Sequence, residues 1–412
     1  MEFCIVLVLL YLSKIRCMGH SICSLATCNE GRKENVTLEC SKFPLRFPDQ
    51  RVSLESTTLV PEDTKRIVFD NCLEVSINND HLTSHNTHLK EIVLINVSAF
   101  EIRLNYSLKN FVLLPSAGDS ERTLTNFNIH LESYEVQTNP CELKFSSEKE
   151  HLSARAEGST SIATNGPDVD FTGCKILSIK ENSFTFSFNA APKITFCDCK
   201  VEEVESVRLT RLELLSLRGC NVSRVEKYGF SVELCDKLEI SNNRFGYIGY
   251  HGFNISADEV EIRSNSFNEA GNNELAGLRP KTKHGNFHLK YTKNIVQNVT
   301  GSKFLFEEGL NLNYENISMD ENAYPCDCST LKYFNKAINE YETVHPNRQF
   351  LMNLKTKAVC IGNKSKTLAS VSQNTCRELS GRDYKPHNQS TIIRSVILTT
   401  CISCIFSYVM SL

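Results

Sequence analysis

The sequence predicts a mainly β fold: a parallel β-helix of about 22 residues per coil, with disulfide-bonded caps and a little helix in the last cap. Three observations predict it. A phrase repeats at that interval, a second alternating apolar run lies between its copies, and cysteines gather before and after the repeats. No long helical period appears before residue 325.

The phrase is apolar-x-apolar-x-x-Cys/Asn-x-apolar-x-x-apolar. It runs through Val169, Phe171, Cys174, Ile176 and Ile179, then through Ile194, Phe196, Cys199, Val201 and Val204. Leu215, Leu217, Cys220, Val222 and Val225 follow, then Leu238, Ile240, Asn243, Phe245 and Ile248, and last Val260, Ile262, Asn265, Phe267 and Ala270. The starts lie 25, 21, 23 and 22 residues apart. Units this short cannot bury their own apolar face, so they stack and share a core. Between the copies run Phe184-x-Phe186-x-Phe188, Val207-x-Leu209, Phe230-x-Val232-x-Leu234 and Phe253-x-Ile255. Period two means a strand with one buried face, so each coil holds three short strands. The Cys/Asn column falls where the chain turns and backbone groups lose their ladder partners. A buried Asn amide offers both donor and acceptor there, and Asn residues stacked ~4.8 Å apart can bond one another. Cysteine, small and tolerant of burial, fills the column where no hydrogen bond is needed.

The phrase resembles the core of leucine-rich repeats, L-x-L-x-x-N/C-x-L-x-x-L. The segment Cys326-Asp327-Cys328, followed by Cys360 and Cys376, resembles the cysteine-rich C-terminal cap of extracellular members of that family. That resemblance implies the pairs Cys326–Cys360 and Cys328–Cys376. It also leaves a leucine-rich repeat horseshoe as the alternative fold, although the alternating second runs depart from that family's convex side. The chain is similar as well, more loosely, to arthropod secreted β-helix proteins.

The organisation along the chain follows. Residues 1–19 carry an apolar run, Phe3 to Leu12, too short to span a bilayer and fitting a secretory signal, though Glu2 stands where a cation is usual. Residues 20–60, with Cys23, Cys28 and Cys40, read as a disulfide-pinned cap. The solenoid occupies 61–322, with clean coils over 169–270 and an insertion over 271–285. Arg66–Cys72 and Glu91–Val97 resemble the start of the phrase, but the phase after them is lost. The C-terminal cap spans 323–379, with Leu331, Phe334 and Ile338 at helical spacing. A polar spacer, 380–390, and an apolar tail, 391–412, have the layout of a GPI signal with Asn388 as attachment candidate; a single spanning helix is the alternative.

A formal charge of −3 gives no bulk electrostatic reason to expect nucleic acid. Nine sequons occur, at Asn35, Asn96, Asn105, Asn221, Asn254, Asn298, Asn316, Asn363 and Asn388. Asn221 and Asn254 alternate with inward residues and so point outward, as a glycan requires. Cys197-Asp198-Cys199 could be drafted as a thiolate metal site, but a secreted chain favours a buried thiol ladder or an inter-coil bridge. The insertion residues Arg279, Lys281, Lys283 and His284 form a possible ligand loop for an acidic partner or sulfated glycan. No phosphate loop, His-Glu metal motif or nucleophile elbow is visible, and no cofactor or metal is expected. The outward positions, Thr195 and Lys200, Ser216 and Asn221, Glu239 and Arg244, Glu261 and Ser266, show no carboxylate column with a matching base. The function expected is recognition or adhesion at the outer face of the plasma membrane. The partner would be an extracellular protein or glycan, and the C-terminal segment would anchor the chain in the membrane. A carbohydrate-active enzyme on the same scaffold and a structural coat component are the alternatives.

Overall fold

The computed structural model describes residues 27–28, 34–42, 48–54, 60–61, 63–78, 89–104, 108, 110–115, 122–131, 164–186, 190–269, 273–282, 287–299, 316–343, 345–371 and 376. The signal segment, Cys23, Asn105, Lys283, His284, Asn388 and the tail lie outside the described residues. The coils belong to the unit 1–369; residues 370–412 form a second unit, in which Cys376 is disulfide-bonded.

The chain winds as a parallel β-solenoid. Its strands form three sheets of thirteen, ten and five strands among the described residues. The first two positions of the phrase build one continuous column each. Ile67, Ile92, Phe111, Val169, Ile194, Leu215, Leu238, Val260, Leu289 and Ile317 are successive partners in the first sheet. Phe69, Leu94, Leu113, Phe171, Phe196, Leu217, Ile240, Ile262 and Tyr291 form the second column. Both are buried almost throughout, and Phe171 stacks on Phe196 with ring centroids 4.8 Å apart. Past the Cys/Asn position, the last two apolar places of the phrase enter the second sheet, where Ile176, Val201, Val222, Phe245, Phe267 and Val296 are partners.

The repeat reaches further than the sequence shows. Arg66–Asp70 and Glu91–Ile95 are full members of the first sheet. Their phase is lost afterwards because the following strands, Glu74–Asn78 and Ala99–Leu104, alternate strictly and pair in a sheet of their own. In the clean coils the second alternating run instead continues into the next phrase, giving twelve-residue strands, Val207–Arg218 and Phe230–Ser241. Leu212, Cys235 and Ala257 mark the corner inside these long strands and are fully buried. The insertion is also partly core. Leu275 and Leu278 are buried, and Leu278 pairs with Ile255, so this segment supplies the corresponding run of its coil. Coils average about 25 residues, above the expected 22, because those flanking the clean stretch have longer connections.

The turn that leaves the first sheet repeats one conformation, whichever sheet the following strand joins. Asn71, Asn96, Gly173, Asp198, Gly219, Asn242, Ser264, Lys293 and Glu321 all have φ between 52° and 67°. Each precedes the Cys/Asn column or its equivalent. Gly219 is further constrained, since an added Cβ would lie 2.1 Å from Oδ1 of Asp198 in the neighbouring coil.

Asn243, Asn265, Asn294 and Asn322 are buried just inside this turn. Oδ1 of Asn265 accepts the backbone N–H of Asn243 at 2.9 Å and its Nδ2 at 3.0 Å. Nδ2 of Asn265 donates to the Ile240 carbonyl and to Oδ1 of Asn294, at 2.9 and 3.0 Å. The same pattern links Asn294 to Asn322, and the Cys220 amide donates to Asn243 at 2.7 Å. Where cysteine takes the column, it does make hydrogen bonds, contrary to the expectation from its size. The thiols of Cys174, Cys199 and Cys220 lie 3.5, 3.3 and 3.4 Å from the carbonyls of Leu113, Phe171 and Phe196. These are the same carbonyl positions that the asparagine amides reach one coil later.

Both ends are closed by antiparallel strands. Thr27–Cys28 covers the first edge of the first sheet, and Asn363–Thr367 turns back on Val359–Cys360 at the end of the second. Cys40 bonds Cys72, which ties the cap to the first turn, and Cys326 bonds Cys360; Cys328 is also disulfide-bonded. Helix Cys328–Glu340 packs Leu331, Phe334 and Ile338 inward and is capped by Asp327, whose carboxylate accepts the Thr330 amide at 2.7 Å.

Replacing Asn265 by Ala strands the Asn243 amide, the Ile240 carbonyl and part of two side-chain amides, and is expected to cost ~3–5 kcal/mol. Cys220→Ala removes only weak thiol bonds and should cost about 1 kcal/mol. Chemical denaturation of the two variants checks the difference; equal losses would contradict the hydrogen-bonding role of the column.

Candidate functional site

Outward positions of the first sheet carry a lattice of opposite charges. Glu239 and Glu261 are direct partners in one row, continued by Lys290 and Ser318, while Arg218, Ser241 and Arg263 form the next row. Glu239, only 8% exposed, accepts from Arg218 at 2.9 Å and lies 3.8 Å from Arg263. Glu261 lies 3.0 Å from both Arg263 and Lys290. On the other side, Lys237 approaches Glu259 at 3.9 Å, and Lys193 spans Asp168 and Glu213 at 3.7 and 3.3 Å. A shallow groove lies against this lattice, lined by Lys237, Glu259, Glu261, His288, Lys290 and Ser318 among others. The sequence places Glu239 and Glu261 outward on adjacent coils without showing a carboxylate column; the register makes them direct partners and so forms a short carboxylate row. Their carboxylates are matched by cations within 4 Å, which gives the face a balanced field.

Nearer the start of the lattice, Asp170 has its pKa raised, by burial first, despite a hydrogen bond from Thr195. An acid whose folded pKa is raised adds stability at low pH and loses it as pH rises through that value.

A second groove lies where the coil turns back toward the first sheet. It is lined by Arg208, Leu209, Thr210, Tyr228, Ser231, Val232, Glu233, His251, Asn254 and Arg279. Of the proposed ligand-loop cations, Arg279 donates to Oδ1 of Asn254 at 2.5 Å, and Lys281 bridges Asp236 and Asp258. Burial lowers the Lys281 pKa, but the bonds to Asp236 and Asp258 outweigh it, so the net shift is upward. Lys281 is neutralised by these two carboxylates and braces neighbouring coils, whereas Arg279 is held by a neutral amide and keeps its charge.

The sequon asparagines differ in environment. Asn35, Asn221, Asn298 and Asn363 are exposed, and Asn254 and Asn316 are half-buried. Asn96 is the correction: it is 4% exposed, and its amide nitrogen donates to Asn71 at 2.7 Å. A glycan there is incompatible with this fold, because the Asn96 side chain is buried and its amide oxygen also accepts the Arg122 N–H at 2.7 Å.

Cys174, Cys199, Cys220 and Cys235 are buried free thiols, and Cys197 is a partly exposed one. Bonding to Cys174 first, partly offset by Cys220, and then burial push Cys199 up to about 12. Contact with Cys199 first and burial second raise Cys220 strongly, and burial takes Cys235 to about 12. The expected thiol ladder is therefore present as unbridged thiols. Among the described residues, no group of three or more His, Cys, Asp and Glu is arranged to hold a metal ion, and no helix is long and apolar enough to cross a membrane.

No protein-family model matches the chain, and neither a curated protein nor a solved structure is significantly similar to it.

Iodoacetamide at pH 8 is expected to label Cys197 in the folded protein and to reach Cys199 and Cys235 only after denaturation. A pKa near 12 leaves these two a thiolate fraction roughly a thousandfold below an ordinary thiol's. Peptide mass spectrometry reads the sites; comparable labelling of Cys199 in the native state would overturn its placement.

Proposed function

We propose that this protein is a glycosylated recognition or adhesion protein of the outer cell surface, held through its C-terminal segment and without catalytic activity. It binds an extended extracellular protein or glycan along the charged outer face of the first sheet. The observation that carries this reading is the set of ion pairs from Lys193 to Lys290, which brings carboxylates and cations of successive coils side by side along one face. Such a surface offers charged contacts at a fixed spacing, suited to selecting a partner by complementary charge. The exposed sequons at Asn35, Asn221, Asn298 and Asn363 support passage through the secretory route. The apolar tail after a polar spacer supports the lipid anchor.

One observation favours a second reading, a carbohydrate-active enzyme. Glu259 and Glu261 share a groove with His288, and paired carboxylates are what glycoside hydrolysis uses. Against it, Glu261 is already engaged by two cations, Arg263 and Lys290, each 3.0 Å away. A coat component without a discrete ligand is the third reading.

The test is a cell-surface binding screen with the full-length protein and a Lys237→Glu/Lys290→Glu variant. Loss of partner binding by at least ~10-fold, with unchanged thermal stability, supports recognition through this face. Retained binding rejects the face. Turnover of a polysaccharide that Glu261→Gln abolishes establishes the enzyme instead. Release of the protein from cells by phosphatidylinositol-specific phospholipase supports the lipid anchor, and retention points to a spanning helix.

A further inference from the structure

The groove beside the turn aromatics has a chemical character of its own, and one of its lining residues is a sequon asparagine. Arg208, Ser231 and Asn254 are successive partners across three coils, so Asn254 sits directly beside Ser231. Its Oδ1 accepts from Arg279 at 2.5 Å, and its Nδ2 donates to Oγ of Ser231 at 3.3 Å. These contacts set the orientation of the amide and direct its nitrogen edge along the groove toward the previous coil. One hydrogen of Nδ2 remains replaceable.

The rail on that side is built at a conformational cost. Tyr228 and His251 have φ of 58° and 53°, and they occupy the third place of β-turns closed by the Gly229 and Gly252 amides. Glycine or asparagine is usual at such a place, and a large side chain there stores strain of about 1 kcal/mol or more. Tyr228 is 39% exposed, with the His251 ring edge-on to its own at 5.7 Å and Lys227 over it at 5.0 Å. A strained, exposed aromatic beside a polar cleft is suited to the apolar face of a sugar ring, while Arg208 and Glu233 supply hydrogen-bonding groups.

We propose that this groove seats the protein's own N-linked glycan, attached to Asn254 and lying across Ser231 against Tyr228. The inference rests on the secretory reading above. In forming the bond, Nδ2 of Asn254 loses a proton and binds the anomeric carbon of a lipid-pyrophosphate-linked oligosaccharide, and the lipid pyrophosphate leaves with the bonding electrons. No oxidation or reduction is involved. The covalent tether makes this occupant the favoured one, because a sugar held at its root meets the groove at a high effective concentration. A space of about 540 Å³ accommodates the first sugars of the chain. The glycan then braces neighbouring coils and compensates the strain at Tyr228.

The test uses the full-length protein made in a secretory eukaryotic cell. Intact-glycopeptide mass spectrometry first reads occupancy at Asn254. Tyr228→Gly is then compared in the parent and in Ser256→Ala, which removes the sequon and leaves the Asn254 amide in place. Tyr228→Gly is expected to lower the melting temperature by about 2 °C in the glycoprotein and to raise it in the Ser256→Ala background. An unoccupied Asn254 with other sequons occupied overturns the inference and leaves the secretory reading standing. No occupied sequon at all overturns both. Occupancy with the same Tyr228→Gly effect in both backgrounds shows that the glycan does not sit on the ring.

Discussion

The structure depends on what happens to the backbone at one corner. From residue 169 onward each coil leaves the first sheet through a left-handed residue and enters the second, and the groups just inside that turn face the core, where no water can serve them. Asn243, Asn265, Asn294 and Asn322 answer this by joining amide to amide up the stack and reaching back to the preceding coil's carbonyl. Burying unpartnered amides at every coil would cost far more than the corner's share of apolar burial returns. The thiols of Cys174, Cys199 and Cys220 meet the same carbonyls with a weaker donor. From Cys174 to Asn322 the column is thus a hydrogen-bonding device, with its stronger form toward the C-terminal end.

This division of labour frees the outside. Apolar columns and the corner column hold the coils in register, so outward residues carry few folding duties. Their positions are nevertheless fixed by the ladder, which is why charges 21 or 22 residues apart, such as Arg218 with Glu239 and Glu239 with Glu261, become neighbours. The recognition we propose for this face would work through charges at fixed positions and needs no pocket. The turn aromatics stand apart, since Tyr228 and His251 carry strain that coil geometry alone does not require.

The clean coils were legible because their second strands keep the x-x-apolar spacing of the phrase, as Ile176 and Ile179 do. The coils around residues 66–104 were not, because Val75 and Ile77, then Phe100 and Ile102, alternate strictly and join a separate sheet. A change of sheet leaves no mark on hydrophobicity beyond that change of phase. Gly, Asn and charged residues between 271 and 285 read as an interruption, yet Leu278 is core, since two apolar residues are too few to show a period. Asn221 pointed outward as its alternation said. Asn96 does not, because its side chain is buried and hydrogen-bonded to Asn71 and Arg122, and a sequon carries no conformational information. The grooves were not legible at all, being made by residues that only the stacking brings together.

The corner column is most directly tested by hydrogen exchange resolved to single amides. The backbone N–H groups of Cys220, Asn243, Asn265 and Asn294 lie in turns by local geometry, and turn amides open to water exchange quickly. If the side-chain ladder holds them, they exchange as slowly as the strand amides of Leu217 and Ile240 on either side. Fast exchange at these four, with slow exchange in the adjoining strands, would contradict the ladder and the account built on it.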